Sequence, residues 1–340
     1  MTKRTNGKDG LRLWLFLIGA LVVGGLYLLW GQYNTASTLY DVGFLRFRAA
    51  ERLAEDEGYA LTAAEQAAYD TALGDGRRWA EETAKTEGSF ETVSAAAAYG
   101  EAARLTLPYA LYDQGADKTV ILLHGYCGGD EALLWAPWWW EAGYNVLLPT
   151  QRGYAGAAEE NNAPTTFGVY ERCDLHDLIL AAGLETETVL IHGRGAGAAA
   201  ALLLAADSAL RDAGVDGLVL ESLYQNLGAL QRTQLQRQFH MGDVFAGQFL
   251  RRRAADLLGF QLDQVDLAAE AAEGEIPALF VCGEADRFLG PEDTAAVYQA
   301  WGGNKALARL DSGSYRALWT ADGANYRSNL SAFLAKLPVT

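Results

Sequence analysis

The sequence predicts an α/β domain with a mainly parallel sheet and helices on both faces, a helical insertion, and an apolar helix ahead of it. Three observations predict this. From about residue 90 onward, short apolar runs alternate with helical stretches, the pattern that βα units produce. The alternation breaks once, over residues 224–273, which are rich in Gln, Arg and Leu and lack a clear strand. Upstream, residues 13–40 carry no charge and 13–30 are almost wholly apolar.

The apolar run sets the first element. Eighteen residues at ~1.5 Å each span roughly 27 Å, close to the hydrocarbon thickness of a bilayer. Lys3, Arg4, Lys8 and Arg12 precede it, so the expected topology is a single-pass anchor over 13–32. Residues 1–12 are then cytoplasmic and the body extracytoplasmic. Arg46 and Arg48 on the far side weaken that asymmetry. A cleaved signal peptide is the competing reading, but its apolar region is normally ~7–15 residues long. Residues 41–88 are charged and alanine-rich, with apolar positions at helical spacing. They read as two helices parted at Gly74-Asp75-Gly76.

In the body, runs 91–99 and 103–112 are strand-like. Strands are then expected over 119–123, 145–148, 188–191, 217–220, 278–282 and 306–310. Helices are expected near 131–142, 170–182, 198–213, 291–301 and 325–337.

Composition excludes some functions. A formal charge of −16 and a pI near 4.7 leave no basic footprint for nucleic acid. Cys127, Cys173 and Cys282 form neither a CxxC pair nor a zinc pattern. They read as separate thiols, Cys282 as a small core residue. His176 and His240 have no spacing that suggests metal ligation. No metal or cofactor is expected.

Four motifs in order carry a family resemblance. Leu123-His124-Gly125-Tyr126-Cys127-Gly128-Gly129 resembles the H-G-x-x-G oxyanion loop of α/β-hydrolases. Gln151-Arg152-Gly153-Tyr154-Ala155-Gly156, with Thr166-Phe167-Gly168-Val169-Tyr170-Glu171-Arg172-Cys173-Asp174, resembles the segment after the fourth strand in bacterial membrane-anchored hydrolases. These are of the serine aminopeptidase-like or lysophospholipase-like class. Glu221-Ser222-Leu223-Tyr224 and Pro277-Ala278-Leu279-Phe280-Val281-Cys282-Gly283-Glu284-Ala285-Asp286 are similar to its later strands. The resemblance runs from about residue 90 to the C-terminus. It implies the α/β-hydrolase fold, with residues 224–273 as a cap over the active-site mouth.

The departures fall at the chemistry. The resemblance puts a nucleophilic serine in G-x-S-x-G, on a strained strand-to-helix elbow. Here the segment is Gly193-Arg194-Gly195-Ala196-Gly197, and Gly195 has no side chain to attack with. The acid position survives as Asp286. The family's terminal G-x-G-H corresponds to Gly313-Ser314-Tyr315-Arg316, so the base position holds Arg316, or Tyr315 if the register slips by one. No histidine follows His240, and arginine cannot accept the serine proton. Thr150 stands where the family usually has aspartate. The backbone amides of Tyr126 and Ala196 can still form an oxyanion hole, which needs no side chain.

The leading expectation is a membrane-anchored pseudo-hydrolase that binds a small molecule, a peptide or a partner. A second reading is an ester or amide hydrolase using atypical residues, with Cys127, Ser222 or Ser314 as candidates. A third takes Gly193–Ala198 as a dinucleotide-binding G-x-G-x-x-A, although several strands precede it and no acidic residue follows at the required distance. His124 is expected to brace its loop and His192 to be a satisfied core group. An Asp286–Arg316 ion pair is expected to fill the former triad site.

Overall fold

The computed structural model describes residues 7–44, 59–126, 128–154, 163–184, 187–240, 247–311 and 314–337. Eight strands make one sheet: β1 (Thr86–Glu91), β2 (Thr106–Tyr112), β3 (Lys118–Leu123), β4 (Asn145–Pro149), β5 (Thr188–Arg194), β6 (Val215–Glu221), β7 (Ala278–Gly283) and β8 (Lys305–Leu310). Their spatial order is β1-β2-β4-β3-β5-β6-β7-β8. Pairing is antiparallel at β1/β2 and β2/β4 and parallel from β4 to β8. The central strands are apolar on both faces because helices cover both, as parallel sheets require.

The helices are α1 (Gly7–Phe44), α2 (Ala63–Glu82), α3 (Val93–Tyr99), α4 (Ala136–Glu141), α5 (Glu171–Ala181), α6 (Ala196–Ala206), α7 (Leu227–Phe239), α8 (Gln248–Leu258), α9 (Leu267–Glu270), α10 (Pro291–Ala300), α11 (Leu318–Ala321) and α12 (Gly323–Leu334). Helices α7 to α9 fill the insertion between β6 and β7.

Several expectations need correction. Residues 93–99 are helical, and the first strand lies earlier, at 86–91. Four consecutive alanines, the strongest helix formers, decide that segment. Residues 63–82 form one helix that runs through Gly74 and Gly76. Gly76 is a packing residue: a Cβ there would lie 2.1 Å from the Leu133 carbonyl oxygen. The expected helix 198–213 stops at Ala206, where the Asp207 carboxylate caps a separate 3₁₀ turn, Ser208–Ala213. Residues 45–58 of the juxtamembrane segment lie outside the described residues.

Helix α1 is longer than the anchor expected over 13–32. Its described large side chains from Trp14 to Trp30 are exposed and apolar, and it is long and apolar enough to cross a membrane. Without a break it then enters the body, where Ala36, Leu39, Tyr40 and Phe44 are buried. Ala36, Leu39 and Tyr40 recur at helical spacing, which puts them on one face. Phe44 stacks on Tyr40 and meets Phe167 edge to face. Deleting residues 1–32 is therefore expected to leave a folded, soluble body. Deleting 1–44 removes core side chains worth about 2–5 kcal/mol each. Thermal melts of the two truncations test this, and equal melting temperatures would refute it.

The two motifs after β4 are joined by buried polar contacts. Arg152 donates to both carboxylate oxygens of Asp174, each at 2.6 Å, with both side chains buried. Glu171 accepts from the Thr165 hydroxyl and from the Thr166 and Gly168 amides at 2.8–3.0 Å. The Tyr224 hydroxyl donates to the Phe167 carbonyl at 2.6 Å, tying the start of the insertion to the same turn.

Candidate active site

The loops that follow β3, β5, β6, β7 and β8 sit at the carboxyl end of the parallel strands, the usual ligand edge of an open α/β sheet. Gly195 turns the chain from β5 into α6 with φ 52° and ψ −111°. Its amide donates to the Glu221 carbonyl at 2.8 Å. Glycine accepts this left-handed backbone without a Cβ penalty.

The space above Gly195 is filled. A Cβ placed there would lie 2.4 Å from the Tyr315 hydroxyl oxygen and 3.3 Å from Cζ. The same hydroxyl would lie 2.1 Å from a Cβ at Gly125, in the loop after β3. Tyr315 is fully buried, packed on Phe288 and Tyr59 with ring centroids 5.0 and 5.9 Å away. Two glycines on two loops thus make the slot for one phenol.

Arg316 points elsewhere. Its guanidinium lies over the rings of Tyr69 (4.3 Å) and Tyr59 (5.0 Å), and its Nε is 3.9 Å from Glu131. The expected Asp286–Arg316 ion pair does not form. Asp286 is held by the amides of Phe288 (2.8 Å) and Leu289 (3.2 Å), and more loosely by the Ser222 hydroxyl at 3.4 Å. Amide donors two and three residues on satisfied the carboxylate locally, which left the arginine to the aromatic pair from the N-terminal segment.

Burial pushes the Asp286 carboxyl up from 3.8 to about 7, against the pull of those hydrogen bonds. The folded protein therefore keeps this proton where the unfolded chain has lost it. Its contribution to stability is fully present below about pH 4 and is lost as pH rises through about 7. Asp286→Asn keeps an acceptor for the two amides and is expected to flatten the urea stability profile across that window. An unchanged slope would show that Asp286 does not titrate there.

Beneath the elbow lies an ion network. Arg194 donates to both oxygens of Glu221, at 2.9 and 3.0 Å, and all of these groups are fully buried. Burial opposes the charge on Arg194, but Glu221 and then Glu131 more than offset this, so its pKa lies well above the ordinary arginine value. Glu131 lies 3.8 Å from Arg194 on one side and 3.9 Å from Arg316 on the other, with the Tyr69 hydroxyl 3.5 Å away. Sequence reading missed this network. Its members, Tyr69, Glu131, Arg194, Glu221 and Arg316, come from five separate segments, and the one signal was a charged residue, Arg194, inside the elbow motif.

The remaining candidates are placed as follows. His192 accepts from the Trp139 indole at 3.0 Å and contacts the Tyr326 hydroxyl at 2.9 Å. Burial holds it well below the ordinary histidine value, so it is a neutral core group. His124 contacts the Gly125 carbonyl within its own loop at 2.9 Å. The Tyr154 hydroxyl donates to the Gly125 and Tyr126 carbonyls, at 3.0 and 2.9 Å, and braces the backbone that carries the Tyr126 amide. Ser222 is fully buried with φ 49°. Ser314 accepts from the Arg316 amide at 3.3 Å. Cys173 and Cys282 are buried, and Cys127 lies outside the described residues. No group of three or more metal-ligating side chains occurs among the described residues.

The dinucleotide reading of Gly193–Ala198 does not fit. A Cβ at Gly197 would lie 2.7 Å from that of Leu123 and 2.8 Å from the His124 carbonyl oxygen. Gly197 seats α6 against the end of β3 and its loop, and Tyr315 covers the elbow at the N-terminal end of α6 where a phosphate would sit.

Comparisons with known proteins agree with the topology. The esterase Pf2001 of Pyrococcus furiosus superposes with a TM-score of 0.57 at 17% identity, over 75% of this chain and 93% of its own. Rv0554 of Mycobacterium tuberculosis gives 0.52 at 16% identity, over 74% and 100%. The uncharacterised protein YqkD of Bacillus subtilis is 24% identical over 234 residues, covering 66% of this chain and 74% of its own. No protein-family profile matches the chain. The chain has the α/β-hydrolase fold, built on an eight-stranded, mainly parallel sheet and carrying an N-terminal apolar helix.

Proposed function

We propose that this protein is a membrane-anchored pseudo-hydrolase, a body of the α/β-hydrolase fold that binds a small-molecule, peptide or protein partner without cleaving it. The observation that carries the reading is the Tyr315 hydroxyl, which lies only 2.4 Å from where the first side-chain carbon of a nucleophile at position 195 would have to be. The absence of any histidine after His240 points the same way. Without nucleophile and base, only oxyanion-hole and binding contributions to rate persist. In this reading α1 crosses the membrane with its N-terminus in the cytoplasm and the body outside.

The purified protein is expected to resist labelling by a fluorophosphonate and to leave short-chain acyl esters unhydrolysed above background. Stoichiometric labelling of a serine, with turnover lost on its change to alanine, would overturn the reading.

One observation favours catalysis by atypical residues. The Ser94 hydroxyl lies 3.2 Å from His176 Nδ1, and His176 Nε2 lies 2.9 Å from Asp212. However, Ser94 donates its proton to Asp177 at 2.5 Å, and its amide also binds Asp177 at 2.8 Å. An attacking serine must hand that proton to the imidazole. The cluster therefore reads as a brace between α3, α5 and the turn at 208–213. Mapping any fluorophosphonate adduct to Ser94 would establish the alternative.

A further inference from the structure

The insertion helix α8 has a face that the hydrolase-like body does not use. The helix carries three successive arginines, Arg251, Arg252 and Arg253, which point in different directions, and one acidic residue, Asp256. Arg251 is turned inward, 3.5 Å from Asp263. Arg252 is exposed, and Leu257, four residues beyond Arg253 and thus on the same stripe, is 47% exposed. A run of arginines on a protein of net charge −16 is a local exception that calls for a local partner.

The position of α8 identifies that partner. It packs against α1, and the Arg253 guanidinium lies over the Tyr33 ring, 5.7 Å from its centroid. The Arg253 Nε is buried and has no hydrogen-bond partner among the described residues. Along α1, Trp14 and Tyr33 are separated by about 28 Å, close to the ~30 Å hydrocarbon core of a bilayer. Gln32, Tyr33 and Asn34 are the first run of polar side chains after the apolar stretch, and Tyr27, Trp30 and Tyr33 are the aromatics expected at a headgroup boundary. With Trp14 at one boundary, Tyr33 and the arginine above it stand at the other.

We propose that α8 lies in the headgroup layer of the membrane that holds α1, with Arg252 and Arg253 binding the phosphates of anionic phospholipids and Leu257 dipping toward the acyl chains. Leu250, Ala254, Ala255 and Leu258 hold α8 to the body, which leaves its arginines and Leu257 to meet a lipid surface beside the span. The proposal rests on the anchor reading of α1.

The test uses the full chain in lipid nanodiscs. Leu257→Cys in a Cys127→Ser background carries an environment-sensitive fluorophore. Discs of phosphatidylcholine are compared with discs of mixed phosphatidylcholine and phosphatidylglycerol, each with a headgroup quencher lipid. The expected result is blue-shifted, quenched emission in the anionic discs, lost on Arg252→Glu with Arg253→Gln and reduced by high salt. Circular dichroism checks that the double variant is folded. Co-elution with discs but the same emission in both lipids, or no effect of the charge changes in a folded variant, overturns the α8 contact and leaves the anchor standing. Failure of the full chain to co-elute with discs overturns both.

Discussion

Replacing Arg194 by methionine is expected to destabilise the protein by about 3–5 kcal/mol, the cost of leaving a buried carboxylate without its partner. Arg194 and Glu221 are both fully buried and share two hydrogen bonds. Arg194 also contributes the nearer of the two positive charges beside Glu131. The loss is therefore larger than that of a surface pair, which is worth roughly 0–1 kcal/mol. Changing Arg194 and Glu221 together to methionine removes the stranded charge and should recover most of the stability. Urea unfolding of the two variants decides the matter. Equal midpoints would mean that the pair is not coupled.

Gly195→Ser is expected to destabilise the protein and to create no activity. The new Cβ meets the Tyr315 hydroxyl at 2.4 Å, an overpacking that costs about 1–3 kcal/mol. The left-handed backbone adds a penalty on the order of 1–3 kcal/mol for a residue with a side chain. Adding Arg316→His should not help, because Arg316 lies between Tyr59 and Tyr69 rather than beside the elbow. Tyr315→His is the informative second change: it opens the slot and sets an imidazole beside position 195. Thermal melts and fluorophosphonate labelling of the three variants separate these cases. A stable Gly195→Ser protein, or labelling of the introduced serine without any change at Tyr315, would show that the tyrosine does not block the site.

The parallel strands were legible because their apolar runs are short and bounded, and the glycine at position 195 of the elbow can be read from one letter. Residues 93–99 were misread because an alanine run has no alternation to reveal its period, so propensity decides. Gly74 and Gly76 looked like a break, yet a glycine also marks where a helix is approached closely, and only Leu133 across the gap shows which applies. The side chain that faces Gly195 was not legible. Tyr315 and Arg316 are adjacent, and which of them faces Gly195 depends on Gly125, Tyr59 and Tyr69, three residues far apart in the chain. The Asp286–Arg316 expectation failed because a carboxylate near the start of a turn can take its donors from its own backbone.

Helix α1 runs from its exposed apolar turns into the core without a linker, and this fixes more than attachment. A flexible tether would let a body tumble above its anchor, whereas an unbroken helix makes the two one lever. Where α1 spans a bilayer, any tilt imposed on it by hydrocarbon thickness becomes a tilt of the sheet and of the edge that carries Gly195 and Tyr315. That edge would then be presented at an angle set by the membrane around it.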